Sequence, residues 1–75
     1  MLLNQLDAGE DAVIDAIHVG GALKARLSSL GITKNEAVSV ERYSLFGSTV
    51  QVRTASSFIA LRRDEATCIE VHKLR

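Results

Sequence analysis

The sequence predicts a mainly β fold in which five short strands form a small, strongly bent barrel and one amphipathic helix covers its opening. Two observations favour this fold. Five separate runs alternate apolar residues with polar or small ones, which is the spacing of a strand with one buried face. A further run, after the first strand, instead repeats its leucines at steps of four and three residues, which is the spacing of an amphipathic helix.

The first strand and the helix are predicted to follow each other closely. Residues 11–17 are rich in β-branched side chains in two alternating phases and suit a strand that ends at a pair of glycines. The helix is predicted over about residues 21–30, and Gly31 supplies a left-handed C-cap. Its apolar stripe consists of Leu23, Leu27 and Leu30. We expect this stripe to pack on the barrel as a lid rather than to bind a partner.

Four further strands are predicted after the helix. Their apolar alternations are centred on Val38 and Val40, Val50 and Val52, Ile59 and Leu61, and Ile69 and Val71. Residues 44–48 contain a glycine and are typical of a hairpin tip between the second and third strands. A short helical turn is predicted near residues 63–67, because Asp64 and Glu65 stand early, where the helix dipole favours acidic side chains.

Length, charge and cysteine content limit the class of function. The 75 residues fit a single domain, 1–75, without a low-complexity linker. Nine basic and nine acidic side chains cancel, which disfavours a general nucleic-acid binder because such proteins release counterions from phosphates through net positive charge. Cys68 is the only cysteine, which excludes an internal disulfide and favours a cytoplasmic protein. No apolar run approaches the roughly 20 residues that span a bilayer.

Five motifs along the chain carry a family resemblance. They are Leu3-x-x-Leu6-x-x-Gly9, Ile14-x-x-Ile17, Arg26-Leu27-x-x-Leu30-Gly31-Ile32, Val38-x-Val40 and Ala60-Leu61-Arg62-x-x-Glu65-Ala66-x-x-Ile69-x-Val71. In this order and spacing they resemble the FeoA family over nearly the whole chain. The resemblance implies an SH3-like barrel with a helix inserted after the first strand.

The resemblance also implies a function. FeoA proteins are small cytoplasmic accessories of FeoB, a bacterial membrane transporter of ferrous iron that carries a cytosolic GTPase domain. This chain is therefore expected to dock on the cytosolic GTPase region of FeoB, to support or regulate its activity, and to reach the membrane only through that partner. The same fold occurs as the C-terminal domain of iron-dependent repressors, so a stand-alone regulatory domain is an alternative, and a small nucleic-acid-binding barrel is another. Edge pairing between barrels also allows homo-oligomers.

The chain departs from the family pattern in its loops. Asn35 stands where glycine is usual, Ser48-Thr49 replaces a common Asp-Pro, and Ser56 lies near another usual glycine. Asparagine tolerates a positive φ almost as well as glycine does. We therefore predict that Asn35 keeps its turn and that the other departures change only loop shape.

Cys68, Glu70 and His72 alternate along the last predicted strand and are the residues that suggest metal ligation. Alternate residues of a strand stand about 6 to 7 Å apart, too far for three side chains to converge on one ion without bending. We interpret the three as the polar face of a strand and His18 as the end of another. The prediction is no metal site and no other cofactor.

Catalytic residues are not recognisable in the sequence, and we predict that the chain is not an enzyme. The serines have no histidine and carboxylate at the spacing of a catalytic triad, and no Gly-Lys-Ser loop is present to bind phosphate. Five arginines could form a basic face, namely Arg26, Arg42, Arg53, Arg62 and Arg63. Acidic residues interleave with them, which favours a solvated surface of mixed sign over a nucleic-acid face. An arginine finger for a partner GTPase is a further alternative that the sequence assigns to no single arginine.

Leu45 and Phe46 are the candidate partner-binding residues. Both fall at the predicted hairpin tip, where large apolar side chains are exposed unless they fold back on the barrel. An exposed pair would suit a protein partner, because aromatic anchors concentrate interface energy. The sequence leaves exposure and folding back equally open.

Overall fold

Residues 1–74, which the computed structural model describes, form five strands, two α-helices and one 3₁₀ turn. The elements are the 3₁₀ turn (Leu3–Gln5), β1 (Asp11–Ile17), α1 (Gly21–Ser29), β2 (Ala37–Tyr43), β3 (Thr49–Arg53), β4 (Phe58–Arg62), α2 (Arg63–Ala66) and β5 (Ile69–Lys73). The mainly β class, the inserted helix and the late helical turn are confirmed. No helix within these residues is both long and apolar enough to cross a bilayer.

The five strands form one antiparallel sheet in the spatial order β4-β3-β2-β1-β5. The register shifts between Ile14 and Ala16 in β1 and between Val40 and Arg42 in β2. Bulges of this kind bend a strand and increase its twist. Because the bent strands occupy the middle of the sheet, the sheet can curve around its apolar face.

The first two residues of the chain cover the outer edge of β5. The amino group of Met1 donates to the carbonyl oxygen of Val71 at 3.1 Å, and the N–H of Val71 donates to the carbonyl oxygen of Met1 at 2.7 Å. Leu2 forms a β-bridge with Glu70. Within residues 1–74, no strand pairs with the outer edge of β4. The outer edge of β5 is therefore paired at Glu70 and Val71, whereas the outer edge of β4 is open within this part of the chain.

The core is aliphatic. Its buried side chains are Leu3, Leu6, Ala12, Ile14, Leu27, Ile32, Val38, Val40, Val50, Val52, Leu61, Ala66, Ile69 and Val71. Leu3 and Leu6 reach it through the 3₁₀ turn, which the sequence analysis did not predict. Of the predicted stripe on α1, Leu27 is buried, Leu23 is half-buried against the core, and Leu30 is the C-cap. The lid on the barrel thus rests on fewer side chains than the periodicity suggested.

Two turns after α1 depend on positive φ angles. Gly31 has a φ of +89°, and a Cβ atom there would lie 3.1 Å from the hydroxyl oxygens of Thr54 and Ser56. Asn35 has a φ of 73°, so the prediction that asparagine keeps this turn is confirmed. These turns lead the chain from α1 into β2.

Candidate functional site

The tip of the β2–β3 hairpin, residues 44–48, is held by hydrogen bonds within the turn. The N–H of Ser44 donates to the carbonyl oxygen of Thr49 at 3.0 Å, and the N–H of Gly47 donates to the carbonyl oxygen of Ser44 at 2.9 Å. The Ser44 hydroxyl accepts the N–H of Thr49 at 3.1 Å. Gly47 has a φ of +70°, a conformation that glycine adopts without strain. The tip therefore has a defined conformation.

Leu45 and Phe46 project from this tip into solvent. Leu45 is 89% exposed and Phe46 is 85% exposed, the two highest values among the large apolar side chains of residues 1–74. Of the two arrangements that the sequence left open, exposure is the one observed, and the side chains do not fold back on the barrel. Their role in binding a partner remains a prediction.

A shallow open groove of about 650 Å³, here called the tip groove, runs between the hairpin tip and α2. Its walls are formed by Phe46, Ser48, Thr49, Arg62, Arg63, Asp64 and Thr67. Arg63 joins the two walls, because its N–H donates to the carbonyl oxygen of Ser48 at 3.0 Å and its Nε donates to the carbonyl oxygen of Gly47 at 3.3 Å. The register pairs Thr49 with Arg62 at the floor of the groove.

The five arginines separate into two groups. Arg26 is paired with Glu65, and Arg53 lies 3.4 Å from Glu41 and 5.6 Å from the centroid of the Phe58 ring. The other group consists of Arg42, Arg62 and Arg63. Within residues 1–74, none of these three guanidinium groups has a carboxylate within 4.0 Å.

The unpaired arginines lie at the hairpin end of the sheet, and Arg62 and Arg63 line the tip groove. The net charge of the whole chain, which is zero, conceals this local group of positive charges. A signal was present in the sequence, since residues 42–63 contain four arginines and no acidic residue. The mixed-sign interpretation holds for Arg26 and Arg53, which have carboxylate partners. At the hairpin end Asp64 also lines the tip groove, but it forms no ion pair with Arg62 or Arg63.

The residues considered as metal ligands do not gather into one cluster. Cys68 precedes β5 rather than belonging to it, and its Sγ lies 3.4 Å from the carbonyl oxygen of Asp64. Glu70 Oε1 is 2.7 Å from His18 Nε2. His72 Nδ1 is 2.6 Å from Asp15 Oδ1. The prediction that all three share one strand is therefore wrong for Cys68. No group of three or more His, Cys, Asp or Glu side chains within residues 1–74 is arranged to hold a metal ion.

Titration is shifted at three side chains outside the tip groove. Lys73 Nζ lies 2.9 Å from Glu10 Oε2, and this hydrogen bond lowers the pKa of Glu10 and raises the pKa of Lys73. The hydroxyl of Tyr43 donates to the carbonyl oxygen of Leu6, and burial raises the pKa of Tyr43. The Tyr43 contact fastens the base of the hairpin to the 3₁₀ turn. The tip groove itself combines the exposed Phe46 ring with two arginines and one aspartate, namely Arg62, Arg63 and Asp64.

Comparison with known proteins gives consistent matches. A family model described as the FeoA domain matches residues 1–73. A Campylobacter jejuni relative, provisionally named Fe(2+) transport protein A, is 39% identical over 72 residues, which cover 96% of this chain and 97% of the relative. The solution structure of a FeoA protein from Chlorobium tepidum has a TM-score of 0.93 at 31% identity and covers 100% of this chain and 71% of its own.

Two further structures define the fold. FeoA from Stenotrophomonas maltophilia, described as a prokaryotic SH3 domain protein in complex with zinc, has a TM-score of 0.82 at 29% identity, with 96% of this chain and 89% of its own covered. A manganese-dependent transcriptional repressor has a TM-score of 0.85 at 21% identity, with 97% of this chain and 40% of its own covered. The second likeness shows the fold alone. The SH3-like barrel is confirmed, and the match to the family model together with the C. jejuni relative shows that this chain belongs to the FeoA family of ferrous iron transport accessory proteins.

Proposed function

We propose that this chain acts in the cytoplasm as a single domain, 1–75, that docks on the cytosolic GTPase region of FeoB and supports or regulates ferrous iron uptake. The observation that carries the proposal is the exposed pair Leu45 and Phe46 on the hydrogen-bonded hairpin tip. Membership of the FeoA family supports a role in ferrous iron transport. FeoB, the membrane transporter of that system, is the proposed partner.

The hairpin tip suits docking for two physical reasons. Burying a leucine or a phenylalanine side chain contributes about 1.5 to 3 kcal/mol each, and this chain leaves both side chains in water. The turn hydrogen bonds and the contact from Arg63 to Gly47 hold the tip before any partner arrives. Less conformational entropy is then lost on binding, so more of the burial energy contributes to affinity.

A binding experiment with matched variants tests the contact. The full chain is titrated into the purified cytosolic region of FeoB by isothermal calorimetry, in the presence of GTP and of GDP. Phe46→Ser is compared with Phe58→Ser, since Phe58 is also exposed but lies on β4 and contacts Arg53. We expect Phe46→Ser to weaken binding about 30-fold, as for an interface hot spot, and Phe58→Ser to bind like the wild type.

Iron uptake tests the biological part of the proposal. A strain that lacks this protein is complemented with the wild type, with Phe46→Ser or with Phe58→Ser, and uptake of radioactive ferrous iron is measured. We expect uptake to follow FeoB affinity. Normal uptake in the deletion strain, together with no association in the calorimeter, would sink the proposal.

A second candidate function is a stand-alone regulatory domain like that of the repressors. The likeness in fold to the manganese-dependent repressor favours it, but at 21% identity that likeness shows the fold alone. If the wild type failed to bind FeoB and instead altered operator binding by a separate repressor protein, this second function would replace the first.

A further inference from the structure

We infer that the tip groove recognises an acidic apolar surface, so that the FeoB surface facing it is an apolar hollow rimmed by Asp or Glu carboxylates. This inference rests on the proposed function, because it describes the chemistry of the partner proposed there. It adds the charge of that partner surface, which family membership does not supply.

Charge is distributed unevenly along the chain. The chain carries no net charge, yet residues 42–63 contain four basic residues and no acidic residue. Only Arg53 of the four is paired with a carboxylate among residues 1–74. Three positive charges therefore have no ion pair within residues 1–74. Two of them, Arg62 and Arg63, line the tip groove together with Phe46. The third, Arg42, lies one residue before the end of β2.

Two of these charges lie in the same groove as Phe46, because Arg62, Arg63 and Phe46 all line it. A partner that buries the Phe46 ring would also remove water from the two guanidinium groups. Leaving such a charge unpaired costs several kcal/mol, and a wholly apolar partner surface would be rejected for that reason. Carboxylates satisfy guanidinium groups through paired hydrogen bonds, which adds specificity to the apolar contact.

Asp64 allows the sign of the charge on the partner surface to be tested. It is the one acidic side chain that lines the tip groove in residues 1–74, and it neighbours Arg63. Towards an acidic partner surface, the Asp64 carboxylate is repulsive, whereas Arg62 and Arg63 are attractive. Removing the charge of Asp64 is therefore expected to tighten binding, while removing that of Arg62 weakens it.

The experiment measures association kinetics between the full chain and the cytosolic region of FeoB at NaCl concentrations from about 50 to 500 mM, over which charge screening changes strongly. Arg62→Gln is the main variant in the tip groove, and Arg42→Gln removes the unpaired charge near the end of β2. Neither guanidinium group has an ion pair in residues 1–74 that the change would break. Arg63→Gln is secondary, since Arg63 also holds Gly47. Lys24→Gln/Lys34→Gln is the control that removes two positive charges outside the tip groove.

We expect Arg42→Gln/Arg62→Gln to slow association about tenfold at low salt, with the effect largely lost at high salt. Asp64→Asn is expected to tighten binding about threefold. The double lysine variant should change either quantity less than twofold. Thermal unfolding of each variant confirms that the fold is retained.

Each contrary outcome has its own meaning. Wild-type binding that is insensitive to salt and to the arginine changes overturns the acidic surface but leaves the proposed function intact. Equal effects of the arginine and lysine variants also overturn it, because the attraction would then be general rather than local. Tighter binding to phosphatidylglycerol vesicles or to labelled RNA than to FeoB overturns it in favour of a phosphate-bearing partner. Failure of the wild type to bind FeoB at low salt is a failure of the proposed function itself.

Discussion

Arg63 donates from Nε to the carbonyl oxygen of Gly47 at 3.3 Å and so joins α2 to the tip of the β2–β3 hairpin. The two residues are 16 positions apart in sequence, and the contact connects the hairpin tip to a residue that lines the tip groove. A change at either residue should therefore alter how Phe46 is presented, even though neither residue is part of the core.

Gly47→Ala tests this relationship. Alanine is strained at a φ of +70°, and its Cβ would lie 3.0 Å from Arg63 Nη2, so the arginine must move. We expect a loss of about 1 kcal/mol in the free energy of unfolding, measured by urea titration, and weaker binding to FeoB. Gly9→Ala is the control, since Gly9 has a φ of +91° but open space around a Cβ. Equal losses of FeoB binding in both variants would contradict a specific role for the Arg63 contact.

Leu27→Ala tests how α1 is held on the barrel. Leu27 is fully buried whereas Leu23 is half-buried at the edge of the core. We expect Leu27→Ala to reduce the free energy of unfolding by about 3 kcal/mol and Leu23→Ala by about 1 kcal/mol. Urea titrations followed by circular dichroism measure both. A similar loss for the two variants would contradict this prediction. It would show that Leu23 and Leu27 contribute equally to holding α1 on the barrel, as the helical period alone suggests.

Tyr43→Phe removes the hydroxyl that donates to the carbonyl oxygen of Leu6. We expect a loss of about 1 kcal/mol near neutral pH, the usual worth of such a bond. Because burial raises the pKa of Tyr43, the wild type should lose stability as the pH rises from the ordinary tyrosine pKa, about 10, through the higher value of the folded state. The phenylalanine variant lacks this loss, so the two unfolding free energies should converge above about pH 10. A constant difference across the alkaline range would contradict the shifted pKa.

Glu10→Gln tests the ion pair with Lys73. The pKa of Glu10 is lowered in the fold, so the stability from this pair is present above the ordinary glutamate pKa and is lost as the pH falls through the lowered value. The wild type should therefore be the more stable protein at pH 7, and the difference should shrink as the pH falls below the ordinary glutamate pKa of about 4.3 and through the lowered value. Glu36→Gln, which removes an exposed carboxylate outside the ion pairs of residues 1–74, is the control. An unchanged difference at acid pH would contradict the prediction.

The strands could be predicted from the sequence because apolar residues at every second position mark the buried face of a strand. Val38 with Val40 and Ile69 with Val71 mark buried faces directly, and both pairs are buried in the sheet. The 3₁₀ turn at Leu3–Gln5 has no such signal, since three residues are too few to display a period. The bulge between Val40 and Arg42 also escaped prediction, because a bulge is defined by the partner strand.

The candidate site was predictable in part for a similar reason. A glycine between two strand patterns locates the hairpin and so places Leu45 and Phe46 at its tip. Whether those side chains fold back depends on the space available at the barrel end, which no local pattern records. The unpaired state of Arg62 depends on how far the carboxylates of other strands lie in space, and it became visible only in the structure.

The covered edge of β5 bears on how copies of this protein can join. Met1 and Leu2 occupy that edge, whereas the edge of β4 is open within residues 1–74. A sheet with two free edges can pair with two neighbouring copies, as a bifunctional monomer reacts with two others. A sheet with one free edge can pair with only one copy. If copies pair through the open edge of β4, the covered edge of β5 opposes further addition and so favours a pair over a fibre. A tag fused before Met1 could disturb the pairing of Met1 and Leu2 with β5 and so expose this edge.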